Sequence, residues 1–182
     1  MIPTRIFYDI RKRIDGLEGG IAEVGVYTGG SALQICQAFP EDTIHLFDTF
    51  KGIPACKVSD IDGHKGGDFV GTEDTVARKL RGKTYRMYKG IFPDTGPLCD
   101  VEQFKFVHVD VDIYQTTRDC LEYFWPRMVP GGIILDDDYG SYLCEGARLA
   151  VDEFGCEYDV KIQVSGSRAF VQKPIETGCC DG

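Results

Sequence analysis

Two runs of aspartate carry the clearest chemical signal in the chain. Asp110-Val111-Asp112 follows the apolar stretch FKFVHV, and Asp136-Asp137-Asp138 follows GGIIL. Residues two apart in a strand share a face, so Asp110 and Asp112 are expected to point into one crevice. Carboxylates gathered in one place repel one another unless a cation or shared protons intervene. A hard divalent ion, magnesium before manganese or calcium, is the natural occupant of such an oxygen donor set.

The second signal is the segment Glu23-Val24-Gly25-Val26-Tyr27-Thr28-Gly29-Gly30-Ser31. Its glycines let the backbone approach a ligand closely, and a helix starting at its end presents free N–H groups to a polar or anionic group. The run is GxxxGG with an acid in the strand, not the GxGxxG of a dinucleotide fold. Asp48 stands about twenty residues beyond this turn, where nucleoside-binding folds place the carboxylate that takes the ribose hydroxyls. Of the three histidines, His45 and His108 lie inside apolar runs and read as packed residues. His64, in a long loop, is the one open to a base role.

Alternating strands and helices would position these groups. Apolar or branched runs predict strands over 21–26, 43–47, 85–88, 104–109 and 133–135. Helical spacing or capping order predicts helices after Ser31 and over 72–80, 116–125 and 145–154, with Tyr123, Phe124 and Trp125 as core. Residues 49–71 read as a long surface loop, and Pro130-Gly131-Gly132 as a turn. Segments 158–164 and 168–172, separated only by Ser165-Gly166-Ser167, predict a terminal antiparallel hairpin. The fold class is therefore α/β, a doubly wound, mostly parallel sheet whose ligands lie at the carboxyl ends of the strands. Asp48, Asp110, Asp112 and the Asp136 triplet all stand at such ends.

The chain has 182 residues, enough for a single domain over 1–174 followed by a flexible tail, 175–182. Its 20 lysines and arginines against 29 acids give a net charge of −9, which argues against a nucleic-acid groove or an anionic membrane surface as partner. No window has the apolar length of a membrane span and the N-terminus has no signal-peptide core, so a cytoplasmic location is expected. The eight cysteines form no CxxC pair, and most read as reduced core thiols. Cys179 and Cys180, in the tail TGCCDG, are expected to carry no function.

Taken in order, EVGVYTGGSA, HLFDTFKGIP, GTEDTV, YKGIFPDT, FVHVDVDIYQTTRDCLEYFWPRMVPGGIILDDDYG and GARLAVDEF resemble the class I methyltransferases that use S-adenosylmethionine. Within that class the chain resembles the macrocin O-methyltransferase family of sugar-modifying enzymes, over about residues 18–154. The resemblance implies a seven-stranded, Rossmann-like methyltransferase sheet with an antiparallel last strand. It also implies magnesium-dependent methylation of a small-molecule hydroxyl, most simply on a sugar or glycoside, although a catechol would use the same metal chemistry.

By the same resemblance, Glu23, Gly25, Tyr27, Gly29 and Ser31 would hold the methionine end of S-adenosylmethionine and Asp48 its ribose, with Lys89 and Gly90 beside the adenine. Asp110, Asp137 and Asp138 would be the Mg2+ ligands and Asp112 the general base. The family usually carries a helical segment ahead of the glycine motif that covers the site and helps build a homo-oligomer, whereas about 18 residues precede it here. It also tends to have an apolar residue where Asp136 stands, which leaves the choice of ligands within the triplet open. Two other readings are a shortened methyltransferase-like domain that binds cofactor or partner without turnover, and a nicotinamide-dependent oxidoreductase. The second explains neither acidic run.

Overall fold

The computed structural model describes residues 5–175. Helix α1 (Arg5–Arg13) leads into β1 (Gly20–Val24), α2 (Gly30–Ala38) and β2 (Ile44–Asp48). After the long loop come α3 (Glu73–Lys79), β3 (Tyr85–Lys89), β4 (Phe104–Val109), α4 (Tyr114–Phe124), β5 (Met128–Asp136) and α5 (Glu145–Glu157). The hairpin β6 (Ile162–Ser165) and β7 (Arg168–Gln172) closes the chain. Cys179, Cys180 and most of the expected tail lie outside the described residues.

One seven-stranded sheet runs in the order β3-β2-β1-β4-β5-β7-β6. β1 to β5 pair in parallel, and β7 is antiparallel to both β5 and β6. The chain builds outward from β1 to β3 and then crosses back to lay β4 on the other side of β1. The crevice between the carboxyl ends of β1 and β4 is therefore the switch point at which open α/β sheets bind ligands.

Strand alternation divides the core into two layers. Ile21, Ile44, Leu46, Phe106 and Leu135 pack under α1, α2 and α3, with Phe7, Ile10, Ile35 and Val76 from the helices. Ala22, Val24, Phe47, Val107 and Ile134 pack under α4 and α5, against Leu121, Phe124, Val151 and Phe154. The start of α3 follows the expectation from its sequence: the Thr72 hydroxyl accepts the Thr75 N–H at 3.2 Å.

Two elements differ from the sequence reading. Helix α1 lies in a stretch to which the sequence reading assigns neither strand nor helix, yet Phe7, Ile10 and Ile14 form a buried stripe at helical spacing. Phe7 meets Phe106 edge-on at 6.1 Å. The expected turn at Pro130-Gly131-Gly132 is instead a bulge inside β5, since the register passes from Phe104↔Met128 to Phe106↔Ile133. Gly131 supplies the left-handed φ of 83° there and donates its N–H to the Lys173 carbonyl at 2.9 Å.

The long loop after β2 is tied down rather than loose. Ile53 and Asp68 are bridged by a main-chain bond of 2.9 Å. Asp62 accepts the Tyr114 N–H at 2.9 Å, and Lys57 pairs with Asp119 on α4. Among the described residues, no helix is long and apolar enough to cross a membrane.

Candidate active site

At the switch point β1 and β4 are pressed together through Gly25. Its φ is +88°, and a Cβ there would lie 1.7 Å from the Asp110 carbonyl oxygen, so only glycine lets the two strand ends meet. The turn that follows is held by Asp48. One carboxylate oxygen accepts the Val26 and Tyr27 N–H groups, each at 2.7 Å, and the other accepts the Phe50 N–H at 2.6 Å. Tyr27 (φ 49°) and Phe50 (φ 53°) are both left-handed, and these bonds hold them so. The N-terminus of α2, at Gly29, has no side-chain cap, which leaves N–H groups of its first turn to be satisfied by something other than the chain's own side chains.

These elements enclose a cavity of about 350 Å³. Of the residues singled out in the sequence, Gly25, Tyr27, Ser31, Asp48, Gly90, Asp110, Asp112 and Asp137 line it. Gln34, Phe47, Ile53, Phe69, Phe92 and Thr116 add walls for which the sequence carried no chemical signal. Four expected residues stand outside the lining. Glu23 is fully buried, bonded at 3.0 Å to His108 beneath α1. Gly29 backs onto Val76, Lys89 pairs with Glu73 on the surface, and Asp138 lies behind the acidic loop.

Asp110, Asp112 and Asp138 each offer a carboxylate oxygen within 4.8 Å of the others. Asp138 accepts the Val111 and Asp112 N–H groups at 3.0 and 2.8 Å, fixing Asp112 at a left-handed φ of 65°. Asp137 approaches Asp110 and His108 and is paired with Arg168 from β7. Asp136 is fully buried and accepts the Asp138 N–H at 3.2 Å, a structural contact within the triplet. His64 comes from the long loop to lie 3.7 Å from Asp112 on one side, with Cys144 at 3.7 Å on another. Neither Cys144 nor Arg168 carried any signal in the sequence, because each arrives from an element remote from the acids it meets.

Burial disfavours the charged form of these acids, and their neighbours add to it. It pushes Asp112 up to about 6, and Asp138, with the Asp112 charge beside it, up to about 7. Asp110 is held well above the usual carboxylate range by burial and then by Asp138 and Asp137. A desolvated, all-oxygen cluster of this kind fits a small hard cation, which would replace the protons it now favours.

Stability should record this. For a carboxyl whose folded pKa is raised, the stabilisation is complete below the unfolded value near 4 and is lost as pH rises through the folded value. Without divalent ions the stability, and the thermal midpoint with it, is thus expected to fall between about pH 4 and pH 7. Magnesium should raise the midpoint more at pH 7.5 than at pH 5. A magnesium effect that is equal at both would contradict the cluster's role. Asp48→Ala should lower stability as well, by about 1.5 to 3 kcal/mol, because the turn loses its charged acceptor. An unchanged melting curve would mean that the three amides find other partners.

The family model described as Macrocin-O-methyltransferase (TylF) matches residues 9–166. The demethyldecarbamoylnovobiocin O-methyltransferase of Streptomyces niveus is 26% identical over 182 residues, covering 88% of this chain and 69% of that protein. The mycinamicin III 3''-O-methyltransferase of Micromonospora griseorubida is 28% identical over 171 residues, covering 82% of this chain and 65% of that protein. The chain spans about two thirds of the length of these curated relatives. Among solved structures, the O-methyltransferase NovP superposes with a TM-score of 0.77 at 24% identity, over 94% of this chain and 80% of that one. An O-methyltransferase from Bacillus cereus in complex with SAH gives 0.65 at 15% identity, over 95% and 83%. These structural likenesses establish the fold, a Rossmann-like methyltransferase sheet.

Proposed function

This chain belongs to the macrocin O-methyltransferase family, and from that premise we propose that it moves a methyl group from S-adenosylmethionine to a hydroxyl of a small-molecule acceptor, a sugar or glycoside. The observation that carries this reading is one cavity bounded on one side by the glycine turn with Asp48 and on the other by Asp110, Asp112 and Asp137. The first side suits a nucleoside bearing an amino-acid group, and the second suits a hydroxyl that must lose its proton.

The open N-terminus of α2 beside Ser31 would receive the carboxylate of the methionine end. Asp48, already ordered by main-chain amides, would keep acceptor capacity for the ribose hydroxyls. Gly90 and Phe92 would bound the adenine, and Lys89 would act only from outside the cavity. Glu23, paired with His108, would support the turn from beneath.

Asp110, Asp137 and Asp138 would hold magnesium, whose Lewis acidity lowers the pKa of an oxygen ligand. Asp112 would accept the acceptor's proton, since its carboxyl is raised toward the operating pH and its orientation is fixed by Asp138. A sugar hydroxyl is too weak an acid to attack a sulfonium methyl without such help. Holding its oxygen in line with the methyl group supplies much of the remaining acceleration.

The test is turnover of S-adenosylmethionine by the full chain against a panel of glycosides and catechols, with and without magnesium, read by mass spectrometry. A glycoside product heavier by one CH2 unit, formed only with magnesium, is expected. Methylation confined to catechols would reassign the acceptor, and methylation indifferent to chelators would remove the metal from the reading.

A further inference from the structure

Away from the cavity, β2, β3 and the segment before β4 bring together three side chains of different ligand chemistry. His45 lies three residues before Asp48, so it sits about 10 Å back along β2 from the acid at its end. Its side chain is buried on the α4 and α5 face, stacked on Tyr88 with ring centroids 5.8 Å apart. A short 3-10 turn, Gly96–Leu98, delivers Cys99, whose sulfur lies 3.1 Å from His45 Nδ1. Asp100 follows at once, with both carboxylate oxygens taking the same Arg86 nitrogen at 2.9 and 2.8 Å. One ligand atom from each of His45, Cys99 and Asp100 lies within 4.8 Å of the other two.

We propose that His45, Cys99 and Asp100 form a binding site for a zinc-class divalent cation, separate from the active-site carboxylates. One imidazole nitrogen, one sulfur and one carboxylate oxygen make a borderline-soft set that suits zinc and is poor for magnesium. Zinc–sulfur and zinc–nitrogen bonds of ordinary length at a tetrahedral angle place sulfur and nitrogen about 3.6 Å apart. The pair therefore opens by roughly half an ångström to admit the ion. Arg86 stands where a partner that orients a ligating carboxylate belongs. The Tyr88 hydroxyl, 2.9 Å from the same Nδ1, gives up that contact when the ion enters. On binding, the Cys99 thiol releases its proton to solvent and the thiolate becomes the ligand, with one position left for water. The ion would pin the β2 and β3 edge of the sheet to the segment that enters β4.

Cobalt(II) titration of the full chain tests this, because thiolate coordination gives a near-ultraviolet charge-transfer band and tetrahedral geometry gives strong visible bands. The expected result is saturation of both at one equivalent, displacement by zinc and indifference to excess magnesium. Cys99→Ser, which keeps the size of the side chain, should lose the charge-transfer band, and His45→Gln should lose the tetrahedral bands. Cys144→Ser, and Cys179→Ser with Cys180→Ser, should keep both. Absence of the band from the parent, its persistence in Cys99→Ser, or its loss in Cys144→Ser would overturn the proposal.

Discussion

Gly25→Ala is expected to abolish binding of S-adenosylhomocysteine and to cost about 3 to 5 kcal/mol of stability, at the upper end of single-residue effects. The new methyl group would fall 1.7 Å from the Asp110 carbonyl oxygen, a main-chain atom, so no flexible side chain can yield. The left-handed φ adds a penalty of about 1 to 2 kcal/mol for any residue with a Cβ. Relief requires β1 and β4 to part at their carboxyl ends, and that movement opens the crevice. Gly30→Ala is the comparison: it lies on the same turn, has an ordinary φ, and nothing stands within 4 Å of its would-be Cβ. Its melting curve should match the parent's. Equal midpoints for the two variants would show that Gly25 is not the point at which the strand ends close.

Asp112→Asn should slow methyl transfer by roughly 10²- to 10⁴-fold while leaving cofactor and magnesium affinities near the parent values. Asparagine tolerates the left-handed φ of 65° at this position and keeps the N–H that Asp138 accepts. The variant thus removes proton acceptance and little else. Asp110→Ala, Asp137→Ala and Asp138→Ala should instead raise the magnesium concentration needed for turnover, since each deletes an anionic oxygen donor. The distances make the contrast informative, because Asp112 lies in the same carboxylate group as Asp110 and Asp138, whereas Asp137 is paired with Arg168. Recovery of Asp112→Asn at high magnesium would make Asp112 a ligand. The base would then be sought at His64, whose Nε2 is 3.7 Å from the same carboxylate.

The parts of this molecule legible in its sequence are those set by local pattern. Strand ends marked by Asp48, Asp110 and Asp136, the turn at Gly25 to Ser31 and the Thr72 cap follow from periodicity and residue type, and the observed strand order gathers those ends at one crevice. The parts that were not legible depend on which distant residues become neighbours. The stripe of Phe7, Ile10 and Ile14 is hidden among basic residues, and its meaning appears only when Phe106 and His108 stand beneath it. Gly131 and Gly132 favour a turn by local propensity, but pairing with β4 on one side and the Lys173 segment on the other draws them into a bulged strand. Asp48 shows the same limit within the site. Its spacing suggested a ribose acceptor, while its bonds to Val26, Tyr27 and Phe50 give it a second task that no spacing predicts.

The cavity at the β1 and β4 switch point is the proposed site of an S-adenosyl cofactor. Calorimetric titration of the full chain with S-adenosylhomocysteine, and separately with NAD, tests it most directly. One site per chain is expected for S-adenosylhomocysteine, weakened by Asp48→Ala and lost in Gly25→Ala, with no heat from NAD. Binding of NAD without S-adenosylhomocysteine, or S-adenosylhomocysteine binding untouched by Gly25→Ala, would contradict it.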